Sequence, residues 1–306
     1  MKGEPGLLRD EVTLASLPVG VRRIGSIEEC RELEAVMATI WGPEGVVPYH
    51  MTFKLARYGG VVLGAYAGQQ MVGFVLSFPM FQNGRTGLYL HLLGVLAKWR
   101  SSRAGLQLML ELGKEALTAG YPLVGWTYDP LEAPLASLYL GRLGAICNAY
   151  QSNYYGTTGE RSSRGLSSDR FLVEWWLRSP SIAALLAQPL SDAAPDAPAA
   201  AGQEPHSAHI PCINSIEAWS GPLPVGAEPR LDLDAPELLL FVPGDFPSLK
   251  RADLALACRW REQTRTALTH YFAQGYYAVG CLNQAGGPAY LLRHGVPQET
   301  MAVMHP

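Results

Sequence analysis

Residues 88 to 120, LYLHLLGVLAKWRSSRAGLQLMLELGKEALTAG, constrain the fold more than any other stretch. An apolar strand, Leu88–Leu96, ends in a short turn of Arg, Ser and Gly. An amphipathic helix, Ala104–Ala119, follows at once and stops at Gly120. This order gathers unpaired backbone N–H groups and the positive end of a helix dipole at residues 100–105, which together make a phosphate cradle.

The neighbouring segments extend the pattern. Val21–Ile24 reads as a first strand. Ser26–Trp41 reads as a helix, with Ser26 and Glu29 at capping-box spacing and Cys30, Leu33, Val36, Met37, Ile40 and Trp41 on one face. A short helix, Met51–Tyr58, precedes a hairpin whose arms are Val61–Tyr66 and Met71–Phe78, with Gly68-Gln69 near the turn. Leu123–Tyr128 is the strand after the phosphate-cradle helix, Pro134–Leu143 a further helix, and Cys147–Tyr155 and Phe171–Leu177 closing strands. The order β-α-α-β-β-β-α-β-α-β-β predicts an α/β fold in which helices pack on a mixed sheet.

The chain has 306 residues, which suits two domains. Residues 1–20 read as an N-terminal lead-in and 21–186 as the first domain. Residues 187–205, AQPLSDAAPDAPAAAGQEP, are dominated by Ala, Pro and acids and read as a linker. Residues 206–306 form a smaller α/β unit, with strands at Glu237–Val242, Tyr276–Leu282 and Ala289–Leu292 and one long helix, Leu249–Gln274. With 48% apolar and 17% charged residues, each part can bury a core. A net charge of −3 argues against nucleic acid as the partner. Cys30, Cys147, Cys212, Cys258 and Cys281 are scattered, so neither a zinc site nor a disulfide framework is indicated; reduced thiols in a cytoplasmic protein are expected. The N-terminal MKGEPGLLRDEV has no signal-peptide run, and no stretch approaches the ~20 apolar residues that span a membrane.

The turn Arg100-Ser101-Ser102-Arg103-Ala104-Gly105 is the first candidate site. Its amides suit a pyrophosphate, Arg100 and Arg103 add charge, and Gly105 lets the helix start close to a ligand. The alternative is an ordinary strand–helix turn with solvated arginines. Asp129 either binds a cationic substrate or caps the helix after it. Asp169-Arg170 is either a substrate-shaping pair or a surface ion pair. Trp175 and Trp176 cover both faces of a closing strand. Arg259, Arg261 and Arg265 surround Trp260 at helical spacing and form a solvated face or one that binds an anion or another domain.

The element order, with this turn after the fourth strand, resembles the GNAT superfamily of acyl-CoA transferases. That superfamily's Arg/Gln-x-x-Gly-x-Gly/Ala motif appears here as Arg100, Arg103 and Gly105, with Arg103 in the first glycine's place. GGVVLGAY, VGFVLSFP, YLHLLGVL, WTYDPL, LGA, NYYG and DRFLVEWWL resemble an uncharacterised branch of predicted acyl-CoA N-acyltransferases over about residues 40 to 178. The chain departs from the branch at Leu135 and Tyr139, where members tend to carry Asn.

The resemblance implies a sheet split between its fourth and fifth strands, with the pantetheine arm of CoA in the split against backbone near Leu93 and Val95. It implies that the pyrophosphate rests on residues 100–105 and that the thioester points toward His91 and Trp126. His91 then suits a general base, with an ordinary pKa near ~6.5; the alternative is a core histidine. Two-residue alternation groups it with Tyr89, Leu93 and Val95. A backbone amide near Val95 would donate to the oxyanion. Tyr139 is the candidate acid for the CoA sulfur, one residue off the superfamily's usual place, with Tyr154 and Tyr155 as alternatives. Trp126, Asp129, Tyr155 and Arg170 are the expected substrate contacts, and His50 could reach the acceptor. The resulting expectation is direct transfer from acetyl-CoA or another acyl-CoA to an amine on a small molecule or peptide. It involves no metal, nucleic acid, membrane or acyl-cysteine, and a homodimer is an open option. Acceptor choice falls to the loops around 42–58, 79–87 and 156–170. The rival class is an acyl-CoA-binding or regulatory module without chemistry. A transferase acting on aminoacyl-RNA would need a basic surface that the charge balance does not offer.

Overall fold

The computed structural model describes residues 18–82, 84–100, 102–156, 166–188 and 209–297. The lead-in up to residue 17, Ser101 and all but the first two residues of the expected linker lie outside the described residues. The chain divides into two compact units between Val124 and Gly125, inside the strand that follows the expected split.

In the first unit, β1 (Val19–Arg23), β2 (Val62–Ala67), β3 (Gln70–Gln82) and β4 (Arg85–Val95) pair antiparallel in that order. Helix α1 (Ile27–Trp41) starts at the expected capping box: the Ser26 hydroxyl accepts from Glu29 N–H at 3.1 Å, and Glu29 accepts from Ser26 N–H at 3.0 Å. The N–H groups of Gly25 and Ser26 hold the Glu29 carboxyl down at about 2. Four residues of the predicted apolar stripe, Cys30, Leu33, Val36 and Met37, are buried and packed on Val62, Phe74 and Leu76, whereas Ile40 is half-buried and Trp41, at the helix end, is exposed. Helix α2 (Tyr49–Arg57) lies beside α1.

A short 3-10 turn, Ala97–Trp99, leads from β4 into α3 (Ala104–Thr118). Gly120 ends α3 with a φ of +88°, and Tyr121 N–H closes onto Ala116 O at 2.8 Å, the wide capping bond that a left-handed residue permits. Phe74 and Leu76 point toward α1, while Gly73 on the opposite face nears Leu108 of α3 and Val95, so the two helices cover opposite faces. Gly94 is required where Phe74 and Ile40 cross: a Cβ there would stand 2.7 Å from the Phe74 ring. Strands β3 and β4 run much further than expected, so most of the anticipated 79–87 loop is paired strand.

The second unit holds most of β5 (Leu123–Tyr128), with α4 (Ala133–Ala136) continuing into a π-helical turn, Ser137–Arg142. Next come β6 (Ile146–Gln151), β7 (Arg170–Trp176), α5 (Pro180–Ala187) and a separate hairpin, β8 (Ile216–Ser220) and β9 (Leu223–Gly226). The chain then runs through β10 (Glu237–Phe241), α6 (Phe246–Ala252), α7 (Leu254–Ala273), β11 (Tyr276–Gln284) and β12 (Gly287–His294). The sheet order here is β5-β7-β6-β11-β12-β10. Strand β11 pairs with β6 at Ala278 and Cys147, so the C-terminal strands continue the sheet of β5–β7.

The expected α/β class, helices on a sheet with further C-terminal α/β elements, is the one observed. Two further local expectations change. The helix expected over Leu249–Gln274 is two helices, because Asp253 is extended (φ −145°, ψ 97°) and caps α7 by accepting from Leu256 N–H at 2.9 Å. The strand expected over Cys147–Tyr155 ends at Gln151, ahead of Asn153 at φ 49°. Helix α5 and the β8–β9 hairpin carry no signal strong enough to have been expected.

Candidate functional site

The turn between β4 and α3 is built from its own side chains. Trp99 is buried and anchors it. The Ser102 hydroxyl donates to Trp99 O at 2.6 Å and accepts from Ala104 N–H at 3.2 Å. Arg100 folds back, its Nε donating to Val95 O at 3.3 Å. Arg103, in the place where a glycine was expected, has φ −81° and ψ 7°, a conformation open to any residue. The turn therefore needs no glycine there. Among the described residues the first helical bond runs from Gln107 N–H to Arg103 O, and the Leu106 N–H ahead of it lies at the positive end of the dipole. At Gly105 an added Cβ would meet only Val95 Cγ2, at 3.9 Å. Protein packing does not demand glycine there, and close approach of a ligand would.

His91 sits where the ladder skips. Ser77 pairs with Leu90 and Leu76 with Leu92, leaving His91 as the extra residue of a β-bulge. Its side chain is exposed and its ring lies 5.9 Å from that of Phe78, which stacks on Tyr89 at 5.2 Å. Partial burial of the ring pushes its pKa below the ordinary value. The bulge breaks the alternation that grouped His91 with Leu93 and Val95. His91 shares the Phe78 and Tyr89 face, whereas Leu93 pairs with Val75 and Val95 with Gly73 on the face that α3 covers.

In the second unit, Trp126 is buried, and its indole N–H has no hydrogen-bond partner among the described residues. The Tyr139 ring packs against Trp126 at 5.0 Å and Tyr128 at 5.3 Å. Burial pushes its phenol above the ordinary range. Tyr139 lies in the π turn, where Leu143 N–H bonds back five residues to Leu138 O at 3.0 Å. Such a turn holds one residue more than an α-helical turn. Cys147 is fully buried, and desolvation raises its thiol pKa.

The charged residues form two clasps on α7. Arg261, 3% exposed, grips both oxygens of Asp129, with Nη1 to Oδ1 at 2.8 Å; Oδ1 also accepts from Leu131 N–H at 2.9 Å. The Asp129 charge is thus matched inside the unit instead of being left for a cationic substrate. Glu132 nearby is pushed above the ordinary carboxyl range, mainly by burial and next by Asp129. Arg265 donates from Nε to Asp169 Oδ2 at 2.9 Å and from Nη2 to Oδ1 at 3.0 Å. Asp169, which is fully buried, also accepts from Asn153 N–H at 2.9 Å and from the Tyr150 hydroxyl. Burial opposes its ionisation, but these bonds prevail and hold its carboxyl below the usual range. Arg259 is exposed.

Arg170 does not pair with the Asp169 carboxylate. Its guanidinium lies 5.1 Å over the ring of Tyr155, whose hydroxyl is 3.4 Å from Thr127 Oγ1. His50 is exposed, its ring edge-on to Tyr49 at 5.7 Å. The structure thus gathers Leu93, Val95, Arg100, Ser102, Arg103, Ala104 and Gly105 at one end of β4, and Trp126 with Tyr139, and Tyr155 with Arg170, in the second unit. The sequence does not reveal Arg261 and Arg265 as the partners of Asp129 and Asp169; their one signal is their place around Trp260, on a face that is either solvated or suited to an anion or another domain. Among the described residues, no group of three His, Cys, Asp or Glu could hold a metal, and no helix is long and apolar enough to cross a membrane.

No family model matches the chain, and no curated protein matches it. Among solved structures, it is similar to a GNAT-family acetyltransferase from Streptococcus pneumoniae, at 16% identity over 51% of this chain and 98% of that one, with a TM-score of 0.44. It is also similar to NAA60 from Arabidopsis thaliana, solved with acetyl-CoA, at 17% identity over 52% of this chain and 99% of that one, with a TM-score of 0.42.

Proposed function

We propose that the chain is an acyl-CoA-dependent N-acyltransferase, with acetyl as the acyl group, acting on an amine by direct transfer. The observation that carries this reading is the start of α3. The positive end of the α3 dipole, a glycine that packing does not require, and Arg100 and Arg103 in the turn just before it fall together there, a combination suited to pyrophosphate. The sequence resemblance over residues 40 to 178 supports reading the phosphorylated ligand as CoA. Ser102, Arg103, Ala104 and Gly105 would hold its pyrophosphate with Arg100, and the β4 backbone at Leu93 and Val95 its pantetheine arm.

Bound acyl-CoA supplies an activated thioester. His91, kept neutral at pH 7 by its lowered pKa, takes the proton that the amine loses as it attacks. Burial keeps the Tyr139 phenol protonated, the form that the expected acid for the departing sulfur needs. The Trp126 N–H, without a hydrogen-bond partner among the described residues, would donate to a ligand carbonyl beside it. The near-complete burial of Tyr139 equally favours a second reading, a module that binds acyl-CoA without turnover.

Calorimetric titration of acetyl-CoA into wild type, Arg100→Ala/Arg103→Ala and Gly105→Val tests the site. Both variants should weaken binding by about tenfold or more, as expected for lost charge-assisted hydrogen bonds or a filled cradle. Unchanged affinity in both would remove the pyrophosphate assignment, and binding without CoA release across an amine panel would favour the second reading.

A further inference from the structure

The first residue of β7, Arg170, is a cation held in place yet not neutralised by any carboxylate among the described residues. Asp169 is the carboxylate nearest to it in sequence, but its acceptor capacity is spent. Oδ1 takes Asn153 N–H and Arg265 Nη2, and Oδ2 takes Arg265 Nε and the Tyr150 hydroxyl. A carboxylate offers about four lone-pair sites, and all four are used. One carboxylate therefore faces two arginines, and Arg265 has claimed it.

Arg170 is instead positioned by neutral groups. Nη1 donates to the backbone carbonyl of Asp169 at 2.9 Å, and the guanidinium lies over the Tyr155 ring. Tyr155 is itself fixed, with Tyr154 edge-on at 4.8 Å and Thr127 beside its hydroxyl, and it is 52% exposed. No carboxylate among the described residues lies within ion-pair distance of Arg170. A guanidinium carries five N–H donors in a planar fork that matches carboxylate and phosphate oxygens. Stacking restricts that fork while leaving its edge and its charge available.

We propose that Arg170, held on Tyr155, is an oxyanion-binding residue that selects amine acceptors carrying a carboxylate or phosphate group. This rests on the acyltransferase reading above. Arg170 then acts as a specificity residue: it holds the anionic group of the acceptor.

The test uses the full chain and two matched pairs of amines, β-alanine with β-alaninamide and phosphoethanolamine with ethanolamine. CoA release from acetyl-CoA is followed for wild type, Arg170→Gln, Arg170→Lys and Tyr155→Leu, and each amine's binding is measured by calorimetry with CoA present. In wild type, an anionic member should exceed its neutral partner at least about tenfold in kcat/KM, the scale of one charge-assisted bidentate contact. The pair that shows the preference identifies carboxylate or phosphate. Arg170→Gln should abolish the preference by raising KM with kcat kept, Arg170→Lys should restore part of it, and Tyr155→Leu should weaken it. Equal use and equal binding of charged and neutral amines by wild type would overturn the proposal, as would a preference that survives Arg170→Gln. A chain that does not bind acetyl-CoA overturns the acyltransferase reading instead. The amine calorimetry still decides the anion site in that case, because it needs no turnover.

Discussion

Asp129 and Arg261 show what a buried ion pair contributes at the scale of single residues. The guanidinium is 3% exposed and the carboxylate 22%, so both have been taken largely out of water, and their mutual bonds mainly offset that cost. Deleting one partner is therefore much worse than deleting both. Arg261→Met should lower the unfolding free energy by about 3–5 kcal/mol, the usual cost of stranding a buried charge. Adding Asp129→Asn should recover most of that loss. Urea unfolding of the two variants checks it, and a double variant no more stable than the single one would show that the bonds themselves stabilise the fold. Both residues stood out in the sequence, Asp129 behind a strand and Arg261 in a helical array. Their partnership did not, because they are 132 positions apart and only the folded sheet brings α7 to the end of β5. Arg265 and Asp169 are 96 positions apart and escaped for the same reason.

At the scale of elements, periodicity was readable wherever the backbone kept a regular period and misled wherever one residue was inserted. The capping box at Ser26 and the stripe of α1 are local and appeared as expected. The bulge at His91 and the π turn around Tyr139 each add a residue to a repeat, and no side-chain pattern announces either. Both insertions fall at residues to which the proposed function gives a role, and each re-aims the side chain at that point of the repeat. The break at Asp253 is a third case and has a readable cause. An aspartate inside a helical pattern competes for the backbone and becomes an N-cap when its oxygen finds the N–H three residues on, here that of Leu256. Asp253→Ala should cost about 1 kcal/mol of stability, while Asp253→Asn, which keeps the acceptor, should cost only tenths. The shift in chemical-denaturation midpoint between the two variants measures the cap directly.

At the scale of the whole chain, composition proposes a cut near residues 187–205, because Ala, Pro and acids cannot pack. The second unit's sheet crosses that cut: β11 pairs with β6. Side chains reach across it as well. Phe272 of α7 stacks on Phe171 at 5.7 Å, and Tyr290 of β12 meets the Tyr128 hydroxyl at 3.1 Å and donates to Pro130 O at 2.7 Å. A linker marks where a chain is not packed, without showing which strands pair beyond it, since strand pairing depends on contacts far apart in sequence. A chain ending at residue 186 would therefore not behave as an independent domain. It would leave the edge of β6 with unpaired N–H and C=O groups and expose Phe171, Tyr128 and Cys147, all buried in the full chain. Losing the packing of three such side chains removes roughly 1.5–3 kcal/mol each, against a total stability of only about 5–15 kcal/mol. The truncated chain should elute as aggregate in size-exclusion chromatography and lack a cooperative thermal transition, while the full chain melts cooperatively. A soluble, cooperatively melting fragment would instead mean that the first 186 residues carry their own core and that the strands from β10 onward are an addition to it.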